Sequence, residues 1–147
     1  MKVLLPFVCV VLFVAFTTAD IVGDSAEEIE KRAAYPTITF PCGAGTVMPN
    51  VCRNMRNAIA KGHPTLLQRI TDKKAIDKNR RDSGCTKMPK TPGNNCDEYP
   101  FASSKQGGKG AETMLVPIRE NCKQGGLLGG FYKKNGIKDG DYYNVVV

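Results

Sequence analysis

Asp97 and Glu98 stand as an acidic pair in the stretch "NNCDEYPFASSKQGG", residues 94–108 of a chain with a formal charge of +7. An isolated Asp-Glu is ordinarily a turn aspartate beside a surface glutamate paired with a lysine. Here a second polar cluster, Arg119, Glu120, Asn121 and Gln124, follows the next apolar run. If the two runs pair as a hairpin, the start of the first lies beside the end of the second. Asp97 then meets the start of a helix at Glu120 and Asn121. A carboxylate facing such oxygen donors can hold a hard divalent cation through few protein ligands and several waters. Phosphodiester hydrolysis uses these parts: a base that takes a proton from water, and a metal that holds the phosphate and stabilises the leaving oxygen. Surrounding lysines and arginines would grip the polyanion regardless of its sequence. A carboxylate with an ordinary pKa of about 4 is a weak base at neutral pH, so its neighbours, or a metal-bound water, must adjust the chemistry.

The elements that would position these residues can be read along the chain. "YPTITFPC", residues 35–42, alternates as a strand does. Pro49 opens a helical pattern in which Val51, Met55 and Ile59 recur every four residues, and Gly62 closes it. "TLLQRI" reads as a short strand, and "DKKAIDKNRRD", residues 72–82, as a solvated helix ending at Gly84. "TKMPKTPGNN" is loop. "EYPFAS", residues 98–103, is a strand candidate in which Pro100 suits an edge or a strand start. "SKQGGKGAE" turns the chain, and "TMLVPI", residues 113–118, is a second strand. "ENCKQGGLLGGFYKK" reads as a helix weakened by four glycines, and "YYNVVV" as a final strand. The fold class is α+β: a small single domain with a strand–turn–strand–helix core plus N-terminal helices, stabilised by disulfides.

The ends bear on compartment and partners. Residues 1–19 read as a secretory signal, with Lys2 before an apolar core and "TTA" at its end. The apolar run is too short to favour a membrane span. Residues 20–32 form an acidic stretch ending in Lys31-Arg32, which reads as a pro-segment for a processing protease or, more plainly, as an acidic tail that stays attached. In residues 33–147 the 21 basic residues fall to 18 and the 14 acidic ones to 9, for a formal charge of +9. A basic secreted domain of this size suits an anionic partner such as nucleic acid, anionic lipid or acidic glycan.

Five cysteines remain there, of which Cys42 with Cys52 and Cys85 with Cys96 are nearest in sequence, although sequence does not fix the pairing. A zinc site is disfavoured, since no C-x-x-C pair occurs and His63 is the only histidine. His63 itself precedes Pro64 at a helix end, where a histidine caps well against the helix dipole. Charge, cysteines and secretion signal alone also fit a cationic binding or antimicrobial protein without turnover. That rival would bind nucleic acid or membrane and would need no acidic pair.

"DEYPFASSKQGG" and "VPIRENCKQGG", with "RNMRNAIAKGHPTLLQRI" and "DKNRRDSG" upstream, resemble the secreted bacterial deoxyribonucleases of the NucA/NucB type. The resemblance spans residues 50 to 147 and includes the "PKTPG" before the acidic pair. It implies a nuclease domain over residues 33–147 related to the ββα-metal, or His-Me finger, group, with an acid in place of the usual histidine base. Carried over by position, it implies Asp97 as general base and Asn121 as metal ligand, with Glu98 and Glu120 as further contacts to metal or water. Gln124, Arg80 and Arg81 would lie nearest the phosphate, and Arg119 would join them on the substrate. The implied cofactor is Mg2+ or Mn2+, the implied substrate extracellular DNA, and the implied state a monomer. Cys122 beside Asn121 departs from the bacterial pattern.

Overall fold

The computed structural model describes residue 30 and residues 34–147. The expected signal, residues 1–19, and the pro-segment, residues 20–32, lie outside the described residues apart from Glu30. Among the described residues no helix is long and apolar enough to cross a membrane.

Among residues 34–147 the chain forms two small sheets and three helices. Strand β1 (Thr37–Thr39) pairs parallel with β5 (Tyr142–Val146), and β2 (Leu66–Gln68) pairs antiparallel with the other edge of β5. The second sheet is the hairpin of β3 (Asn94–Tyr99) and β4 (Glu112–Pro117), in register from Asn94 opposite Pro117 to Tyr99 opposite Glu112. Helix α1 (Pro49–Ala60) and helix α3 (Ile118–Lys134) both pack on this hairpin and on each other. Helix α2 (Lys73–Asp82) buries no residue; the Asp72 carboxylate caps it by accepting from the Ala75 amide. A 3-10 turn, Cys85–Lys87, follows it.

The expected strand over residues 98–103 lies earlier, at Asn94–Tyr99. Pro100 follows a cis peptide bond, has no N–H for the ladder, and ends the strand. The glycine-bearing helix forms in full, 17 residues long. Its buried residues Glu120, Gln124, Leu128 and Tyr132 recur every four positions, so tertiary anchoring outweighs the low propensity of its glycines.

The core gathers Phe40, Met48, Val51, Met55, Leu67, Tyr99, Val116 and Tyr143 from both sheets and α1. A hydroxyl chain ties three parts of the fold together: Tyr132 donates to Tyr143 at 2.8 Å, and the Ser103 and Tyr132 hydroxyls lie 3.2 Å apart. Two disulfides brace the domain. Cys42–Cys52 fastens the exit of β1 to α1, and Cys85–Cys96 fastens the 3-10 turn to β3. Each such bridge typically contributes about 2–4 kcal/mol. Cys122 is free and exposed.

Candidate active site

The buried polar residues of the described chain are Asn54, Asp97, Ser104, Glu120 and Gln124. All but Ser104 meet where α1 and α3 cross the β3–β4 hairpin. Burying that much polarity is unfavourable unless the groups bond one another or serve a purpose, so the origin of each matters.

Asp97 faces inward because β3 alternates, with Asp97 and Tyr99 buried and Glu98 between them only partly covered. Its Oδ2 accepts a 2.9 Å hydrogen bond from Asn54 Nδ2. Burial pushes the Asp97 carboxyl up to about 6; the Asn54 and Gln124 amides favour the charged form, and the nearby Glu120 charge opposes it. Glu98 is pushed up to about 7, again chiefly by burial and then by the charge on Asp97, while Arg80 pulls it down. Both carboxyls thus stand above the ordinary carboxylate range. Among the described residues Asp97 has no ion-pair partner.

A cavity of about 460 Å3 opens over this cluster. Asp97, Glu98, Asn121, Gln124 and Arg80 all line it, so the hairpin brings together five residues singled out from sequence. Asn121 Nδ2 donates to the Cys96 carbonyl at 3.0 Å, which fixes the side-chain amide and commits its nitrogen, not its oxygen. Two buried amide atoms, Asn54 Oδ1 and Gln124 Nε2, make no hydrogen bond of normal geometry; the Gln124 amide acts on the Asp97 carboxylate from just beyond that reach.

Glu120 belongs to the same buried cluster but is bonded to the start of α1 and does not line the cavity. Its carboxylate accepts from the Asn50 amide at 2.7 Å, from Asn50 Nδ2 at 2.9 Å and from the Val51 amide at 3.3 Å. Helix α1 has no side-chain cap of its own, so α3 supplies one across the fold. Both its oxygens accept hydrogen bonds from the start of α1, so in this structure the side chain clamps that helix. Arg81 and Arg119 are exposed and also outside the cavity lining. His63 does not line it either.

The "NRR" segment divides its labour. Asn79 Nδ2 donates to the Ala102 and Ser104 carbonyls, both at 3.0 Å, pinning the loop after the acidic pair, while Arg80 reaches the cavity and pairs with Asp77. Gly107 is required in that loop, since a Cβ there would stand 2.3 Å from the Phe101 carbonyl oxygen.

Asn54, which holds Asp97, is not among the residues singled out from sequence. A signal was available: it sits on the α1 face defined by Val51, Met55 and Ala58, a polar side chain within an apolar stripe.

A metal is implied by the resemblance, and the donors fit a hard cation. Glu98 and the Asn121 amide oxygen are oxygen ligands of the kind Mg2+ or Mn2+ takes, and the Asp97 carboxylate lines the same cavity. Glu98 Oε2 also lies 3.0 Å from Cys85 Sγ. Cys85 is bonded to Cys96, so this group of three offers no thiolate and is not a soft-metal site.

The fold and cavity define a small disulfide-braced α+β domain whose hairpin and helix cradle buried carboxylates, the arrangement of a hydrolytic site. The family model for Deoxyribonuclease NucA/NucB matches residues 55–146, and the chain belongs to that family. It is also 25% identical over 114 residues to the DNA-entry nuclease of Bacillus subtilis (strain 168), covering 78% of this chain and 70% of that protein.

Proposed function

We propose that the protein is a secreted, sequence-nonspecific endodeoxyribonuclease that requires Mg2+ or Mn2+ and cleaves extracellular DNA to 5′-phosphate ends. The observation that carries this reading is the buried Asp97, held by Asn54 in a cavity it shares with Glu98, Asn121 and Gln124. A cationic binding protein would have no reason to bury an unpaired carboxylate against a stability penalty.

In this reading Asp97 takes the proton from the attacking water. With its pKa at about 6 it is mostly ionised at neutral pH, and a stronger base than an ordinary aspartate. Asn54 holds one Asp97 oxygen and so sets the direction of the other. Asn121 offers its amide oxygen to the cation, with its nitrogen anchored on Cys96. Glu98 contributes a second carboxylate to cation or water. A bound Mg2+ or Mn2+ supplies charge stabilisation for the phosphate and the leaving oxygen. Arg80 and Gln124 face the phosphate, while Arg81, Arg119 and other exposed cations attract the DNA backbone at longer range. Glu120 acts as a positioning residue, locking α3 to α1.

The leader, the compartment and removal of residues 20–32 belong to the same proposal; the two disulfides support export to an oxidising compartment. The test is incubation of residues 33–147 with plasmid, with and without chelator. Cleavage abolished by chelator and restored by Mn2+ or Mg2+ is expected. A mobility shift without cleavage would instead support the binding protein.

A further inference from the structure

The two disulfides differ in their surroundings. Cys42 and Cys52 are sealed in the core, 5% and 1% exposed. Cys85 and Cys96 are only half-buried, and both line two cavities at once. One is the cavity of the candidate site; the other, of about 350 Å3, is formed with Met88, Pro89, Thr91, Asn95 and Leu115. The bridge is shared by both walls, so a dissolved reagent can reach it.

The same bridge holds parts of the site in place. Cys96 immediately precedes Asp97, and its carbonyl accepts from Asn121 Nδ2 at 3.0 Å. Cys85 Sγ lies 3.0 Å from Glu98 Oε2. Helix α2, which carries Arg80 into the cavity, buries no residue. Its C-terminal end is located by the Asn79 bonds to the Ala102 and Ser104 carbonyls and, just beyond, by the bridge at Cys85. Among the described residues the loop over 86–92 hydrogen-bonds only within residues 84–94. With the bridge open, no hydrogen bond would tie this loop to β3 beyond Asn94.

We propose that Cys85–Cys96 is a thiol-exchange site, at which a dithiol reductant opens this bridge ahead of Cys42–Cys52 and turns the nuclease off. This rests on the nuclease reading above. One thiolate of the reductant attacks a bridge sulfur, and the S–S bond breaks with its electron pair leaving on the other sulfur. The second reductant thiolate then closes on the first, releasing a cyclic disulfide. The protein gains two electrons and two protons, and the dithiol loses them. Access decides which bridge is attacked, and here it favours Cys85–Cys96. Opening leaves two unbonded thiols beside Glu98 and frees the turn after α2, so Arg80, Glu98 and Asn121 lose their common geometry. Activity is thereby confined to oxidising compartments.

The test caps the free Cys122 of the purified protein with iodoacetamide and then applies dithiothreitol under native conditions. Thiols released are labelled with N-ethylmaleimide and mapped by peptide mass. Cleavage is followed in Mg2+, a hard cation that thiols bind weakly. Label is expected on Cys85 and Cys96 while Cys42–Cys52 stays closed. At that point kcat/KM on DNA falls about a hundredfold, the scale of a small misplacement of positioned groups, and oxidised glutathione restores it in unlabelled samples. Cys85→Ser/Cys96→Ser should melt cooperatively, cleave at the reduced wild-type rate and ignore dithiothreitol. The wild-type result does not depend on that variant folding. Equal labelling of the two bridges, or an undiminished rate with Cys85 and Cys96 reduced, overturns the switch while leaving the nuclease intact. A wild-type protein that never cleaves DNA removes the nuclease reading and the switch with it, whatever the labelling shows.

Discussion

Asn54 Nδ2 reaches Asp97 Oδ2 at 2.9 Å across 43 residues of sequence, joining the middle of α1 to the middle of the β3–β4 hairpin with both residues buried. The bond satisfies one carboxylate oxygen of a residue that lines the cavity. Without it Asp97 would be a buried charge with one fewer donor.

Asn54→Ala should therefore act on both stability and chemistry. Loss of a buried hydrogen bond to a charged group costs about 2–3 kcal/mol, read as a shift in the urea midpoint. The Asp97 pKa rises further, because the Asn54 bond lowers it in the wild type. The acid limb of the pH–rate profile should move to higher pH in the variant. An unmoved limb would separate Asn54 from the chemistry.

Activity and stability should run in opposite directions with pH. Asp97 has a folded pKa of about 6, above the usual value of 3.8, so the native state binds this proton more tightly than the unfolded chain does. The contribution of Asp97 to stability is greatest below pH 4, falls as pH rises from about 4 to about 6, and is flat above that. Glu98 extends the same trend from its usual 4.5 to about 7. The base is active only when ionised, so the rate climbs over the window in which stability falls. Asp97→Asn removes the ionisation and should stabilise the fold at pH 7.5 by about 1–2 kcal/mol, less than the ~3 kcal/mol that the shift implies, since Asn54 must turn its amide to meet it. The gain should vanish below pH 4. Thermal melts at a series of pH values measure it.

Glu120→Ala should unfold more readily without altering the metal requirement. It strips the acceptor from the Asn50 and Val51 amides at the start of α1, a loss of about 2–3 kcal/mol. Glu120→Gln keeps one oxygen acceptor and should recover about half of it. The Mn2+ concentration for half-maximal cleavage should stay at the wild-type value in both. A large rise in that concentration would restore Glu120 to the metal.

Most of the fold was legible because its signals are local. Pro49, the Val51–Met55–Ile59 spacing and Gly62 bracket α1, and Asp72 with Gly84 brackets α2. The hairpin that carries the site followed from two apolar runs around a glycine-rich turn, although β3 begins in Asn94 and Asn95. Their low strand propensity hides a ladder that pairing with Val116 and Pro117 imposes. The lining of the candidate cavity was legible where residues cluster in sequence, as Asp97, Glu98, Asn121 and Gln124 do. The rest was illegible where partners come from afar: Asn54 supports Asp97, and Glu120 caps a helix 70 residues away. Arg81 and Arg119 have the right chemistry, yet neither joins Arg80 in lining the cavity.

The central claim is that the Asp97 carboxylate is the base, and the most direct measurement is the rate of plasmid cleavage by Asp97→Asn at pH 8 with saturating Mn2+. The substitution preserves size and should leave the fold at least as stable. The expected result is a fall in kcat of about a thousandfold, within the range that general-base catalysis contributes. Cleavage by the folded variant within about threefold of wild type, far below that contribution, would contradict the account.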